Sequence, residues 1–304
     1  MDNFLVSVII PTYKRSEMLP RAIDSVLNQT YKNIQVVIVD DNNPDTDYRR
    51  TTEQRMSAYS EDSRVKYICH NKNRNGSVAR NTGIKNADGE IITFLDDDDW
   101  YLSQKIEKQV DYLLSHPEFR AVYCGWIRNG KENLPFDEGD LSYNILSGDH
   151  IILTNVIMMW KKEAIDCGGW DETFMRHQEA ALLLRYFRNG GIIGLVPEAL
   201  VEYDMSDRSN AAENSRRNEY QTMHFLNSYT DIIQKCDFKE PGSEKKIWLH
   251  RYRGMFLSYL RSKDVKGALS FFYRYCSKMP FAFFKSLVEY SVERFRRIKH
   301  NDNK

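Results

Sequence analysis

Three features of this 304-residue chain predict an α/β fold built on a mostly parallel, three-layer sheet. Over the first hundred residues, short apolar runs alternate with helix-spaced patterns. Those runs are continuous, as in strands covered on both faces. Three of them end in polar clusters, "PTYKR", "DDNNPD" and "DDDD". In open α/β sheets ligands bind beyond the carboxyl ends of the strands. The clusters would therefore share one edge and form a site.

The elements follow in order. "LVSVII" (5–10) reads as a buried strand and "MLPRAIDSVLNQ" (18–29) as an amphipathic helix. "IQVVIVD" (34–40) is a second strand, running into Asp40 and Asp41, and "RVKYICH" (64–70) a third. Gly76 precedes a short helix, "SVARNTGIKNA" (77–87), and "EIITFL" (90–95) is a fourth strand ending in Asp96–Asp99. Beyond Trp100, "SQKIEKQVDYLLSH" (103–116) is an amphipathic helix closed by Pro117, and "RAVYCGWIR" (120–128) a strand. "KENLPFDEGDLSYNILSGDH" is polar and loop-like. Residues 152–172 read as strand, short helix and Gly-Gly turn, 177–191 as a helix stopped by two glycines, and 192–205 as one or two strands. From about 215 the pattern is helical to the end. There is no internal repeat and no low-complexity segment.

Composition narrows the class. Hydrophobic residues make up 41% and aromatics 12%, enough for a sizeable core. The 43 basic and 43 acidic residues cancel, so overall charge points to no nucleic-acid partner. The balance hides an asymmetry: residues 239–304 carry 16 Lys and Arg against 6 Asp and Glu, a net of +10, and the rest carries −10. Five cysteines with no CxxC spacing argue against a disulfide framework or zinc site and fit a reducing cytosol. The N-terminus "MDNFLVSVII" lacks a basic leader and reads as a strand. No apolar run approaches the ~18–20 residues of a membrane span.

Hard divalent cations prefer carboxylate oxygens, and Mg²⁺ is commonly held by one or two carboxylates plus substrate phosphates. The run Asp96–Asp99 suits that role; it equally suits a solvated turn ahead of the helix at 103, since acids favour helix N-termini. Asp40 and Asp41 could accept from a base N–H or a ribose hydroxyl, or simply make Asx turns. Gly76 followed by a helix carrying Arg80 suits phosphate, or an ordinary capped helix.

Together the segments "VSVIIPTYKR", "VVIVDDNNPD", "NGSVARNTGIKNADGEIITFLDDDDW", "GGWDE" and "HQEAALLLR" resemble, in order and spacing, the inverting nucleotide-sugar glycosyltransferases of family 2 with the GT-A fold. The resemblance covers about residues 5–205. It implies a GT-A (Rossmann-like) domain whose residues 1–100 bind the nucleotide sugar and whose residues 101–212 bind the acceptor, with 213–304 as a helical extension. It places Pro11, Thr12 and Tyr13 around the base, with Arg15 nearby, Asp40 and Asp41 at base or ribose, and Arg80 near the nucleotide. Asp96 and Asp98 become the metal-holding pair, Asp98 foremost, for Mn²⁺ or Mg²⁺ bridging both phosphates. Asp97 is assigned to ribose or sugar, and Asp99 to a basic partner. Glu179 is the implied general base; Gln178 and Ala181 stand where some relatives carry further acids. Trp170 would stack on an acceptor sugar or pack on the core; His177 and "TNV" (154–156) would border the acceptor. Where many relatives place a His, "YDMSDRSN" offers Asp207, which leaves a third protein ligand to the metal in doubt.

The implied function is transfer from a nucleotide sugar, a UDP-sugar foremost, to a hydroxyl of a glycan or lipid-linked saccharide in surface polysaccharide synthesis. Two other readings fit parts of the pattern. A phosphatase of the haloacid dehalogenase type also ends a strand in DxD, but that pair sits near its N-terminus and precedes Thr or Val. A catalytically inactive nucleotide-sugar-binding or scaffold protein is the second. Outside the resemblance, "FFKSLVEYSVERFRRIK" (283–299) places Phe284, Leu287, Val288, Phe295 and Ile298 at helical spacing, with Lys and Arg opposite. That pattern suits an interfacial helix at the inner face of the cell membrane, or a helix packed on its own domain.

Overall fold

The computed structural model describes residues 3–206 and 215–301, with side chains in the last helix described as far as residue 292. The chain divides into two compact units, Met1–Leu141 with Ile152–Arg208, and Ser142–Ile151 with Ser209–Lys304.

The first unit holds the sheet. Its strands are β1 (Val6–Thr12), β2 (Ile34–Asp40), β3 (Val65–Cys69), β4 (Ile91–Phe94), β5 (Trp100–Tyr101), β6 (Ala121–Arg128), β7 (Lys131–Asn133), β8 (Met158–Trp160) and β9 (Ile193–Tyr203). Their order is β3-β2-β1-β4-β8-β6-β9-β5, with β7 paired to β6. β3, β2, β1 and β4 run parallel, as do β6 and β9; β8 joins the two blocks antiparallel to β4 and β6. The continuous apolar runs have their expected cause: Val8, Ile9, Ile10, Val36, Val37 and Ile38 are fully buried.

Helices α1 (Leu19–Leu27), α2 (Asp47–Met56), α3 (Gly76–Asn86) and α4 (Lys105–Ser115) connect the early strands. α1 buries Leu19, Ala22, Ile23 and Val26, one helical stripe. α2 escapes the sequence reading because its surface is almost wholly polar, and only Arg49, Thr52 and Met56 turn inward. Thr46 caps it by accepting from the Arg49 N–H.

The long segment read as a loop contains β7 and a short helix, α5 (Ser142–Ser147), which belongs to the second unit. Arg251 supplies the reason: it donates to the carbonyls of Ile145 and Leu146, which the helix end leaves open. Segment 192–205 is one strand, β9, whose register with β6 shifts on both sides of Gly125. A Cβ at Gly125 would lie 2.7 Å from the Asn133 carbonyl and 3.0 Å from that of Glu198, so this bulge requires glycine. α6 (Lys161–Asp166) and α7 (Gln178–Arg188) complete the unit.

The second unit continues with α8 (Ser215–Ser228), α9 (Thr230–Lys239), α10 (Ser243–Arg261), α11 (Val265–Phe271), a π-helical turn (Phe272–Cys276) and α12 (Pro280–Asn301). Met255, Tyr259, Ala268, Phe271, Cys276 and Phe283 form its core. Buried Glu219 is satisfied there by a bidentate Arg274 and the Tyr259 hydroxyl. In α12 the structure divides the apolar residues the sequence grouped together. Phe283 and Leu287 pack on the core, whereas Phe281, Phe284, Val288 and Val292 face outward. Phe295 and Ile298 lie outside the described side chains. Among the described residues no helix is long and apolar enough to cross a membrane.

Candidate active site

The register of the sheet assembles the site. Ile9 pairs with Phe94 and Thr12 with Asp40, so three residues further along each strand bring Asp97 opposite Thr12. The Thr12 hydroxyl donates to Asp97 Oδ2 at 2.7 Å, and the Tyr13 N–H lies 3.3 Å from the same oxygen. The four aspartates then alternate. Asp97 and Asp99 are buried; Asp96 and Asp98 are partly exposed.

Asp99 accepts from the Asn155 amide and, at 2.8 Å, from the Asp204 N–H. Asn155 also accepts from the Asp96 N–H at 3.0 Å, so one buried amide holds both ends of the run. Burial pushes the Asp97 carboxyl up to about 7 and the Asp99 carboxyl up to about 8. Asp98 is also raised, by burial and by Asp96, with Arg15 opposing. Arg15 Nη1 lies 2.8 Å from Asp98 Oδ2 and 3.4 Å from Asp97 Oδ1. Asp96 is paired with Arg80.

Arg80 is a strut. It is buried, its guanidinium stands 4.8 Å from the Trp170 ring centroid, and it links Asp96 to the Gln178 amide oxygen at 3.0 Å. Gln178 opens α7 and in turn donates to the Phe174 carbonyl at 2.9 Å. Gly76 lies close under this bridge: a Cβ there would stand 3.0 Å from Arg80 Nη1. The neighbouring Asn81 clamps the Gly-Gly-Trp loop, accepting from the Trp170 N–H at 2.7 Å and donating to its carbonyl at 2.8 Å. Glu179 follows Gln178 in the first turn of α7. Burial raises its carboxyl, helped by Asp96 and opposed by its own backbone N–H, Arg80 and Arg176. His177 is the N-cap residue, in the left-handed region with φ 59°.

Several sequence-based assignments change. Asp40 accepts from the backbone and side-chain amides of Asn42 and from the Tyr67 hydroxyl, and pairs with Arg49. Asp41 takes His70, the Asn73 amide and the N–H groups of Arg74 and Asn75. A carboxylate has about four acceptor sites, and these partners fix both carboxylates and shape the loop before α3. The Thr12 hydroxyl and the Asp97 carboxylate bond each other. Asp99 finds an amide and a backbone N–H where a basic partner was expected. Arg80 is turned onto Asp96 and Gln178. Trp170, 1% exposed and edge-on to Phe94 at 4.9 Å, is core and no sugar platform.

Tyr13 remains open to solvent at the end of β1, with Lys14 Nζ 4.9 Å from its ring centroid; Pro11 sits half-buried opposite Val39. Asp207 lies outside the described residues. Two site residues had no sequence signal. Arg21, on α1, donates to the Asp98 carbonyl and to Asp204, both at 2.5 Å, over the Trp100 ring. Asp204 is held at about 2 by hydrogen bonds from Ser206 and Arg21.

The profile of glycosyl transferase family 2 matches residues 7–190, the segment that builds this site. The chain belongs to glycosyl transferase family 2. An Erwinia amylovora relative, the amylovoran biosynthesis glycosyltransferase AmsB, is 27% identical over 284 residues, covering 89% of this chain and 90% of that protein. The Escherichia coli UDP-Glc:alpha-D-GlcNAc-diphosphoundecaprenol beta-1,3-glucosyltransferase WfgD is 36% identical over 116 residues, covering 38% of this chain and 44% of that one. Four curated relatives, WfgD among them, are matched over only 19% to 45% of their length. The structure of S. aureus TarS 1-349 in complex with UDP-GlcNAc has a TM-score of 0.60 at 17% identity, covering 88% of this chain and 91% of that one. The fold of this family 2 member is therefore GT-A.

Proposed function

We propose that this protein is a metal-dependent, inverting glycosyltransferase that moves a sugar from a UDP-sugar to a hydroxyl of a lipid-linked saccharide or glycan. The observation that carries the reading is the arrangement around Arg80. Of the two partly exposed carboxylates at the end of β4, Asp96 is tied through the Arg80 guanidinium to the helix start that bears Glu179, and Asp98 stands beside it, paired with Arg15. Relatives named for amylovoran synthesis and for glucosyl transfer to a diphosphoundecaprenol-linked sugar support surface polysaccharide assembly as the setting.

The donor set suits a hard divalent cation. Asp96 and Asp98 offer carboxylate oxygens, and among the described residues no group of three or more His, Cys, Asp or Glu forms a cage. Two carboxylates completed by diphosphate oxygens and water are what Mg²⁺ or Mn²⁺ ordinarily accepts. Such an ion would supply charge neutralisation on the departing nucleoside diphosphate.

The chain's own residues carry the rest. Tyr13 offers an exposed ring to the base, and Arg15, next to Asp98, is within reach of phosphate. Glu179 takes the proton of the acceptor hydroxyl as that oxygen bonds to the anomeric carbon and the bond to the diphosphate breaks. Its raised pKa strengthens it as a base near neutral pH. A single displacement inverts the anomeric centre.

A thermal-shift series of UDP-sugars with and without Mn²⁺, followed by transfer to a GlcNAc-diphospho-lipid, tests the reading. At a hundredfold excess over Kd the cognate donor should stabilise by about 2.7 kcal/mol. Stabilisation by no uridine nucleotide in the presence of metal, or binding without turnover across the acceptors, overturns it.

A further inference from the structure

In α12 the apolar residues outnumber what the core can take. Phe283 is fully buried and Leu287, partly buried, packs against the same core. Phe281, Phe284, Val288 and Val292 follow at spacings of three and four on another face of the helix. Phe281 is 91% exposed, Val288 63%, Phe284 53% and Val292 44%. A continuous apolar stripe on an exposed helix marks an interaction surface. The Phe284 ring also lies 5.5 Å from that of Phe272, tilted by 41°, which anchors the stripe to the core beneath it.

Charge identifies the occupant. From residue 278 to 301 the chain carries Lys278, Lys285, Arg294, Arg296, Arg297 and Lys299 against Glu289 and Glu293. Lys278 and Lys285 are exposed, the latter 3.8 Å from Glu289 across one turn. The excess extends through residues 239–304, at +10. A second copy of the chain would bring the same positive charge to the stripe and be repelled. An anionic lipid surface offers both parts of the complement: an acyl boundary for the phenylalanines and valines, and headgroup phosphates for the lysines and arginines.

We propose that the outward face of α12, from Phe281 to Val292, is a peripheral docking surface for an anionic bilayer, lying in the headgroup region with its basic flank on the lipid phosphates. The inference stands on the second unit alone and is independent of the reaction assigned to the first.

Vesicle co-sedimentation of the full chain decides it, using phosphatidylcholine vesicles with and without phosphatidylglycerol. The wild type should partition roughly tenfold more strongly onto the phosphatidylglycerol vesicles, and high salt should reduce that gain. The triple variant F281S/V288S/V292S removes only outward side chains and spares Phe284, which touches the core; circular dichroism verifies that its helices persist. It should lose roughly tenfold or more of the partitioning. Equal partitioning of wild type and a folded triple variant refutes the proposal. So does a wild type that ignores both vesicles but sediments as a dimer that the triple variant converts to monomer, which would assign the stripe to a second copy.

Discussion

Replacing Gln178 by Leu tests whether Arg80 is a strut or a donor ligand. The substitution removes two contacts, the 3.0 Å bond from Arg80 Nη1 and the 2.9 Å bond to the Phe174 carbonyl. A bond to a charged partner contributes about 1.5–3 kcal/mol and a neutral one about 1 kcal/mol. Arg80 is buried, so its freed N–H has little access to water. Leucine returns part of the loss by burying apolar surface, leaving a net destabilisation of about 2–3 kcal/mol. The start of α7 is then held less firmly. Because Glu179 is the next residue, kcat should fall about 10- to 100-fold, the cost of misplacing a reacting group by about 1 Å.

Donor affinity should stay within about twofold, since Gln178 is assigned no contact with the nucleotide. The sharper readout is a double-mutant cycle with Asp96→Asn, unfolded in urea with EDTA present and followed by tryptophan fluorescence. Both residues bind the same guanidinium, so a coupling of about 0.5–3 kcal/mol is expected. Additivity within about 0.5 kcal/mol would show that the two ends of Arg80 act independently. A loss of donor affinity equal to the loss of kcat/KM would return Arg80 to the nucleotide.

Three further outcomes follow from the same geometry. Glu179→Gln should lower kcat about 10²- to 10⁴-fold with UDP binding unchanged, and full transfer activity in this variant would remove Glu179 as the base. Asp98→Asn should weaken UDP binding in the presence of Mn²⁺ while leaving it nearly unchanged with EDTA, measured by calorimetry; equal loss in both conditions would separate Asp98 from the metal. Lys105 is fully buried, with Nζ 2.6 Å from Thr93 Oγ1, and burial lowers its pKa from 10.5 to about 7. Between those pH values the unfolded chain holds a proton that the native state lacks, so native stability rises with pH. From pH 7 to 9 the wild type should therefore gain about 2 kcal/mol relative to Lys105→Met in urea unfolding, and parallel profiles would mean that Lys105 keeps its proton.

β1, β2 and β4 were legible because their residues are buried on both faces, which leaves no polar alternation to confuse the reading. β2 matches its predicted span from Ile34 to Asp40. α2 was not legible, since Thr52 and Met56 are too few to print a helical stripe. α5 was hidden because Arg251, more than a hundred residues away, completes its end. The site divides in the same way. The positions of Asp96–Asp99 and Glu179 follow from local pattern, a strand end and a helix start. Their individual directions depend on Thr12, Arg15, Arg80 and Asn155, none of which announces a partner in its own neighbourhood. Trp170 illustrates the limit: an aromatic after two glycines suits a sugar platform and a core residue alike, and only the burial of its ring under Arg80 separates the two.

Four adjacent aspartates coexist because the loop gives them different electrostatic fates. A turn at Asp97–Asp98, closed by the Asp99 N–H on the Asp96 carbonyl at 3.2 Å, leaves Asp97 and Asp99 inward, where burial raises them to about 7 and about 8. Burial thus disfavours the charged form of both. Asp96 and Asp98 stay outside, and each faces one guanidinium, Arg80 for Asp96 and Arg15 for Asp98. Coulomb repulsion between neighbours at a few ångströms is thus met twice, by burial and hydrogen-bond donors on the inner pair and by a guanidinium facing each of the outer pair. The two arginines are not equivalent. Arg80 is held on three sides, by Asp96, Gln178 and the Trp170 ring, whereas Arg15 spans two aspartates with its side chain one-quarter exposed. The fixed guanidinium belongs to the frame that carries Glu179. The more exposed one stands where an incoming anion would compete for it.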